Sequence, residues 1–454
     1  MAGIFKAYDI RGRYPQDINE DNAYLIGRAF VTFTGTTDIM LGRDARTHSP
    51  ALARAFIKGA LEQGADVTEI GQITTSQMIA LRSWHNHNTA VMVTASHLDA
   101  PFNGFKMLTG IGQYVSENYG MRDVERIVSE RAFPKPARTG HHKHANYIDS
   151  YVERILAVAG SPTRSEVTFV ADASCGTIGA ELHGFKAACL PNLIIINDTP
   201  DGTFPAHSPN PIAPGAADQA GRVIRETNAV GGCVFDADAD RVTFLDEKGN
   251  PIMPNYISCL LVKAQLENSP GASIAYDLIS TRALPETITE CGGIPIRSKV
   301  GRASIIAQMM SNGAAFGAET SSHMMFKETF YGEAVGLALL RVLELLAREG
   351  KPLSELVKPY ERYVLLPETN YRIERAKEAM EQLEAAFPDA QIDYLDGVSL
   401  SWTDSWIVAR MSNTEPLLRI RAEADTQEIL DVRMETVSKI VHDLGGALDG
   451  GHGH

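Results

Sequence analysis

The sequence predicts a multidomain α/β protein that closes with a smaller α+β unit, and three observations carry that prediction. At 454 residues the chain is too long for one hydrophobic core, since domains average about 150 residues. Three short apolar runs, Ala90-Val-Met-Val-Thr94, Val167-Thr-Phe-Val-Ala171 and Gly232-Cys-Val-Phe235, each lead through a Gly-rich or polar turn toward a helix-like segment. That alternation is the pattern of α/β layers. Near the C-terminus the order changes to a helix over residues 376–386, strands at Trp406-Ile-Val-Ala-Arg410 and Leu417-Leu-Arg-Ile-Arg421, then a closing helix, which reads as α+β.

Breakers divide the chain. Phe133-Pro-Lys-Pro-Ala-Arg-Thr-Gly-His-His-Lys-His144 is polar, with two prolines, and precedes an amphipathic helix from about Tyr147. Lys248-Gly-Asn-Pro-Ile-Met-Pro254 is rich in turn formers, and Lys351-Pro-Leu-Ser354 follows an apolar helix expected over residues 333–348. Four units result: 1–145, 146–250, 251–360 and 361–454. No short repeat occurs, and Gly450-Gly-His-Gly-His454 reads as a tail.

Hydrophobic residues make up 44% and charged residues 22%, ordinary globular usage that disfavours disorder, collagen-like repeats and a coiled coil. The net charge of −14 argues against a nucleic-acid or anionic-membrane surface, so an anionic ligand must meet local basic groups. Cys175, Cys189, Cys233, Cys259 and Cys291 lack the paired spacing of zinc or redox motifs and read as buried thiols in a reducing cytosol. No signal-peptide core or membrane span stands out: the longest aliphatic stretch, residues 337–346, carries Arg341 and Glu344. The expected location is cytoplasmic.

Ligands of open α/β sheets gather at the carboxyl ends of strands, which directs attention to the residues after each run. Phe235-Asp-Ala-Asp-Ala-Asp-Arg241 sets Asp236, Asp238 and Asp240 at alternating positions, able to converge on a hard divalent cation such as Mg²⁺ if the backbone turns there. A calcium EF-hand competes, but Arg241 stands where that loop needs Gly, and Val242-Thr-Phe-Leu245 reads as a strand. A solvated acidic turn is the other alternative, against which stands the mutual repulsion of three carboxylates.

Thr94-Ala-Ser-His97 offers Ser96 as a nucleophile, although neighbours on an extended chain point to opposite sides and His97 need not serve it. Asn103-Gly-Phe-Lys106 follows shortly after. Gly317-Ala-Glu-Thr-Ser-Ser-His323 carries the groups that grip a polyol, or else caps a helix. Arg410-Met-Ser-Asn-Thr-Glu-Pro416, with Arg419 and Arg421, has the composition of a phosphate cradle, or is a hairpin loop with surface arginines. His141, His142 and His144 read as solvated, and Ala173-Ser-Cys-Gly-Thr-Ile-Gly179 as a tight turn.

In this order the loops, together with the opening Ile4-Phe-Lys-Ala-Tyr-Asp-Ile-Arg-Gly12, resemble the α-D-phosphohexomutase superfamily, in its phosphomannomutase/phosphoglucomutase branch, over nearly the whole chain. The resemblance implies three α/β domains with mixed sheets plus a smaller C-terminal α+β domain around a central cleft. It implies that Ser96, beside His97, carries a phosphoryl group, that Asp236, Asp238 and Asp240 hold Mg²⁺, and that Arg241 sits next to them. Glu319, Ser321 and His323 would contact sugar hydroxyls, and Arg410, Ser412, Asn413 and Thr414, with Arg419, the non-reacting phosphate. Tyr8, Arg11, Lys106 and Lys299 match positions near the reacting centre, where Lys106, Arg11 or His323 would move the proton.

The implied activity interconverts hexose 1- and 6-phosphates, of mannose and also glucose, through glucose 1,6-bisphosphate or mannose 1,6-bisphosphate, in a monomer or homodimer. The alternatives are a phosphoglucosamine mutase, disfavoured by Asn413, or a non-catalytic sugar-phosphate sensor. The chain departs from the family pattern at Leu98-Asp99 in place of Asn-Pro, at Ala237 and Ala239 in place of Gly, and at Arg302 in place of His. Gly332-Glu-Ala-Val335 also lacks an acidic pair often found there.

Overall fold

The computed structural model describes residues 3–160, 166–412 and 416–449. Four sheets follow one another along the chain. The first has six strands in the order Ile10–Arg13, Phe102–Leu108, Thr89–Val93, Asp38–Arg43, Asp66–Gln72, His142–His144. Its first two neighbours pair antiparallel and the rest parallel. The second runs Val242–Leu245, Gly232–Phe235, Phe169–Asp172, Leu193–Ile196, antiparallel only at its first pair. The third joins Ile294–Ser298, Ser273–Asp277 and Phe316–Ala318 in parallel, then adds Met324–Phe326 and Gly332–Glu333 antiparallel. The fourth is antiparallel throughout, with six strands between residues 364 and 448.

The parallel strands read as continuous apolar runs because helices cover both faces. Thr89–Val93 is buried at every position, as are Phe169–Asp172 and Gly232–Phe235. The apolar helix Val335–Glu349 and the helices Pro254–Asn268, Gly179–Ala188 and Thr75–Trp84 contribute to one continuous core. The fourth sheet has a separate core under Ala376–Ala386 and Gln427–Asp443. A small seam of Leu278, Ile279, Trp406 and Val408 joins it to the third sheet.

Most expected elements stand within two residues of where the sequence places them, but three readings need correction, the first being that the runs at 90–94 and 232–235 lead into the antiparallel strands Phe102–Leu108 and Val242–Leu245 and not into helices. The apolar helix begins at Val335, because Glu333 belongs to a strand paired with Met325 and points at a buried guanidinium. Residues 317–323 cap no helix: they turn between the antiparallel strands Phe316–Ala318 and Met324–Phe326. Cys175, Cys189, Cys233 and Cys259 are buried free thiols, and Cys291 is half-buried. No helix among the described residues is long and apolar enough to cross a membrane.

Candidate active site

The strand Thr89–Val93 delivers its chain end to Ser96, which adopts a left-handed φ of 52° and is fully buried. Thr94 Oγ1 accepts from the Ser96 amide at 2.8 Å, and Arg46, also without exposed surface, gathers the loop from beneath. Its guanidinium donates to the carbonyls of Ser96 (2.7 Å), Leu98 (2.5 Å), Asp99 (2.7 Å) and Phe102 (2.9 Å), and to Asp44 at 3.0 Å. The unusual Leu98-Asp99 pair is therefore absorbed through backbone carbonyls, which any residue supplies. Gly104 permits the adjoining strands to close, since a Cβ there would lie 1.8 Å from the Ile10 carbonyl oxygen.

The acidic loop lies between Gly232–Phe235 and Val242–Leu245, so the backbone turns back as convergence of the carboxylates requires. Ala239 bears a φ of 48°, a left-handed conformation that an alanine tolerates poorly. The loop is clasped from outside: Thr75 N donates to the Asp238 carbonyl (2.8 Å), Thr75 Oγ1 to Asp238 Oδ2 (2.6 Å) and Ser76 Oγ to the Ala239 carbonyl (2.8 Å). These donors open the helix Thr75–Trp84, whose N-terminal dipole favours negative charge. The tight turn after Phe169–Asp172 closes the other side, where a Cβ on Gly176 would meet the Ala237 carbonyl at 2.4 Å.

Asp236, Asp238 and Asp240 converge, with one oxygen from each within 4.8 Å of the others. Ser96 Oγ donates to Asp236 Oδ2 at 2.9 Å and lies 3.5 Å from Asp240 Oδ1. Burial and the charges of Asp240 and Asp238 push the Asp236 carboxyl well above its ordinary range. Burial would raise Asp240 too, but Lys106, His323 and Arg241 outweigh it and hold that group well below. Lys106 Nζ is buried against Asp238 Oδ2 (2.6 Å) and Asp240 Oδ2, while Asp238 Oδ1 is buried without a partner. Three hard oxygen donors, an orphaned carboxylate oxygen and a like-charge conflict fit a small divalent cation.

The remaining residues extend from that centre. Arg241 Nη1 approaches His97 Nδ1 at 2.5 Å, and Arg241 Nε lies 3.2 Å from His323 Nε2. His97 Nδ1 is 3.4 Å from Ser96 Oγ. His323 Nδ1 meets Glu319 Oε2 at 2.6 Å and Ser321 Oγ at 2.9 Å, so the third sheet's loop gathers carboxylate, hydroxyl and imidazole as expected. Burial and Arg241 lower the His323 pKa, but Asp240 and Glu319 prevail and raise it to about 9. Arg11 is held by Asp9 at 2.7 Å.

Tyr8 is half exposed, with its ring where a Cβ on Gly301 would meet it at 3.1 Å, and its hydroxyl pKa is raised by burial, then by Glu319, against the lowering pull of Arg410 and Arg419. It therefore lies between the polyol loop and the arginine cradle. In the cradle Arg410 Nη2 and Arg419 Nη1 both reach Glu368, at 2.7 and 3.2 Å, and Arg410 Nη1 lies 3.5 Å from Asp396. Ser412 closes the described part of that loop, and Asn413 and Thr414 lie outside the described residues. The Lys299 side chain is exposed and makes no hydrogen bond or ion pair among the described residues.

Four contributors were not singled out from the sequence. Arg46 and Thr75 carry no motif signal, and Glu368 lies on the strand Val364–Arg372, 42 positions before Arg410 in the chain. Arg302 was noted only as a departure. Buried, it reaches Asp240 at 3.0 Å and Glu333 at 3.5 Å, with its guanidinium 4.4 Å from the Tyr114 ring centroid. Two departures, the Arg and the altered acidic segment, thus meet as one ion pair.

A serine backed by a carboxylate cluster, a polyol loop and an arginine cradle on successive domains defines an enzyme that handles sugar phosphates. The signatures of phosphoglucomutase/phosphomannomutase alpha/beta/alpha domains I, II and III match residues 2–135, 145–249 and 253–363, and that of the C-terminal domain residues 368–439. The chain is 35% identical over 449 residues to a phosphomannomutase of Salmonella montevideo, covering 94% of this chain and 98% of that one. It is 33% identical over 452 residues to a phosphomannomutase of Escherichia coli K12, covering 97% and 99%. The crystal structure of a phosphoglucomutase/phosphomannomutase family protein from Burkholderia thailandensis superposes with a TM-score of 0.89 at 30% identity, over 98% of each chain. The chain belongs to the phosphoglucomutase/phosphomannomutase family, and its activity is that of a phosphohexomutase.

Proposed function

We propose that the protein interconverts mannose 1- and 6-phosphates, and the glucose counterparts, by way of a phosphoryl group carried on Ser96. The observation behind this reading is Ser96 Oγ at 2.9 Å from Asp236 Oδ2, inside a cluster of three buried carboxylates. Asp236, Asp238 and Asp240 would hold Mg²⁺, which when bound neutralises charge on the phosphoryl oxygens. The division into domains 1–145, 146–250, 251–360 and 361–454 gives each sheet one loop of the site.

In the first transfer a sugar hydroxyl oxygen bonds to the phosphorus of phospho-Ser96, and the bond from phosphorus to the seryl oxygen breaks. The hydroxyl proton leaves and the seryl oxygen takes one up; Lys106, Arg11 and His323 are the candidates that move it, His323 as a base only after it has lost its own proton, since its pKa is raised to about 9. Arg241 and Arg11 bring positive charge to the same end. Glu319, Ser321 and His323 orient the ring hydroxyls. Arg410 and Arg419, with Ser412, Asn413 and Thr414, hold the phosphate that does not react, Lys299 serves the reacting end, and Tyr8 lies between the two. The 1,6-bisphosphate of glucose or mannose then turns round, presents its other phosphate to Ser96 and leaves as the isomeric monophosphate. Phosphoryl transfer needs positioning and charge stabilisation above all, and this arrangement supplies both.

Intact mass before and after glucose 1,6-bisphosphate tests the reading. A gain of one phosphoryl group on the wild type, absent from Ser96→Ala and discharged by mannose 1-phosphate or glucose 1-phosphate, is expected. Failure of the phosphorylated protein to turn over either sugar in a coupled assay with Mg²⁺ would refute it.

A further inference from the structure

Residues 136–144 fall between the matches to the family's first and second domains. Within them the three-residue strand His142–His144 adds to the free edge of the first sheet, and all three of its side chains are exposed. Two strands separate it from the one that leads to Ser96, so its side chains take no part in the site described above.

Strand alternation places His142 and His144 on one face and Lys143 on the other. The register sets His144 opposite Glu69 of the neighbouring strand Asp66–Gln72. Glu69 Oε2 lies 3.0 Å from His142 Nε2 and 3.6 Å from His144 Nδ1, with the two imidazole centroids 4.6 Å apart. One donor atom from each of the three residues falls within 4.8 Å of the other two.

Around a tetrahedral zinc ion with bonds of about 2.0–2.2 Å, neighbouring donors are separated by roughly 3.3–3.5 Å. Both distances to the carboxylate bracket that value. We propose that Glu69, His142 and His144 form a surface site for Zn²⁺ or a similar imidazole-seeking transition-metal ion, and that its occupancy clamps the inter-domain connector to the first sheet. Two imidazoles and one carboxylate select this class of ion over Mg²⁺, which prefers all-oxygen sites and keeps its waters. The fourth position is open to water.

The test uses full-length protein in excess Mg²⁺, with Zn²⁺ as the probe, in a His452→Ala/His454→Ala background so that tail imidazoles add no binding. One Zn²⁺ per chain is expected in equilibrium dialysis, with affinity at least tenfold weaker after His142→Ala/His144→Ala and weakened about tenfold by Glu69→Gln. Co²⁺ in place of Zn²⁺ should give a tetrahedral absorption band that the double variant lacks. The substituted side chains are at the surface, and mutase activity without Zn²⁺ should match that of the background, which confirms folding. Equal Zn²⁺ affinity and stoichiometry with and without His142 and His144 would overturn the site. Zn²⁺ bound by these residues without slower amide exchange across residues 140–145 would overturn the clamp.

Discussion

The two ends of the active site are built to different rules. At the seryl end Ser96, Asp236, Asp238, Asp240 and Lys106 are almost wholly buried, and three successive sheets contribute to the network around them. At the cradle end Arg410 and Arg419 keep 13% and 24% of their side-chain surface, sit on a sheet with its own core, and share the carboxylate of Glu368, with Asp396 also 3.5 Å from Arg410. On the proposed reading the first end would handle a fixed phosphoryl group that meets the same charges in every turnover. On the same reading the second would release one phosphate and take another, a task that partial exposure and a resident anion suit.

This contrast can be broken most completely at Ser96. Ser96→Ala should lower mutase turnover by more than about 10⁴-fold, measured in the coupled assay, because no neighbouring group carries the phosphoryl in its place. Asp236→Asn should cut kcat by about 10²-fold or more through lost charge stabilisation. The same substitution should raise the melting temperature of metal-free protein, since it removes the carboxylate that burial and Asp240 most disfavour. A fall in that temperature would show that the seryl end is not strained by its own charge.

At the cradle, Arg410→Ala should raise KM by roughly 10–100-fold with a smaller change in kcat, as expected for loss of a charge-assisted contact to a non-reacting group. Glu368→Gln should act in the opposite direction and tighten inhibition by inorganic phosphate several-fold, because the arginines lose their resident anion. Equal phosphate inhibition of the two proteins would show that Glu368 only positions the guanidinia.

The smallest effect concerns packing behind the seryl end. Glu181 is buried with one oxygen unpartnered and the other accepting from Gln77 at 2.9 Å, and burial raises its pKa to about 8. The folded state then retains a proton that the unfolded chain releases near its ordinary pKa. Stability from this group is present below that value and declines as pH rises toward about 8. Glu181→Gln should flatten the fall in melting temperature between pH 5 and pH 8, as thermal unfolding at several pH values would reveal.

Much of the architecture was legible because the relevant signals are local. Thr89–Val93, Phe169–Asp172, Gly232–Phe235 and Ala376–Ala386 announce themselves through apolar runs or helical periodicity. The rejection of an EF-hand rested on Arg241 and a following strand, and Val242–Leu245 is a strand. The misplacement at Glu333 and the helix cap weighed as an alternative near Ser321 share a cause: short strands of two or three residues leave no period to read. The same limit applies to His142 and His144, which look like solvated connector residues until the register brings Glu69 beside them.

The sequence by itself determined which groups are available: a serine after a strand, three alternating aspartates, a polyol loop and an arginine-bearing hairpin. Those are choices of covalent chemistry and short-range geometry, written within a few neighbouring residues. Tertiary structure alone decided that Arg46 gathers the Ser96 loop across about 50 positions of chain, that Thr75 clasps Asp238, and that Arg302 joins Asp240 to Glu333. Buried charges and carbonyls must find partners wherever folding brings them, and a partner distant along the chain leaves no pattern in the local sequence.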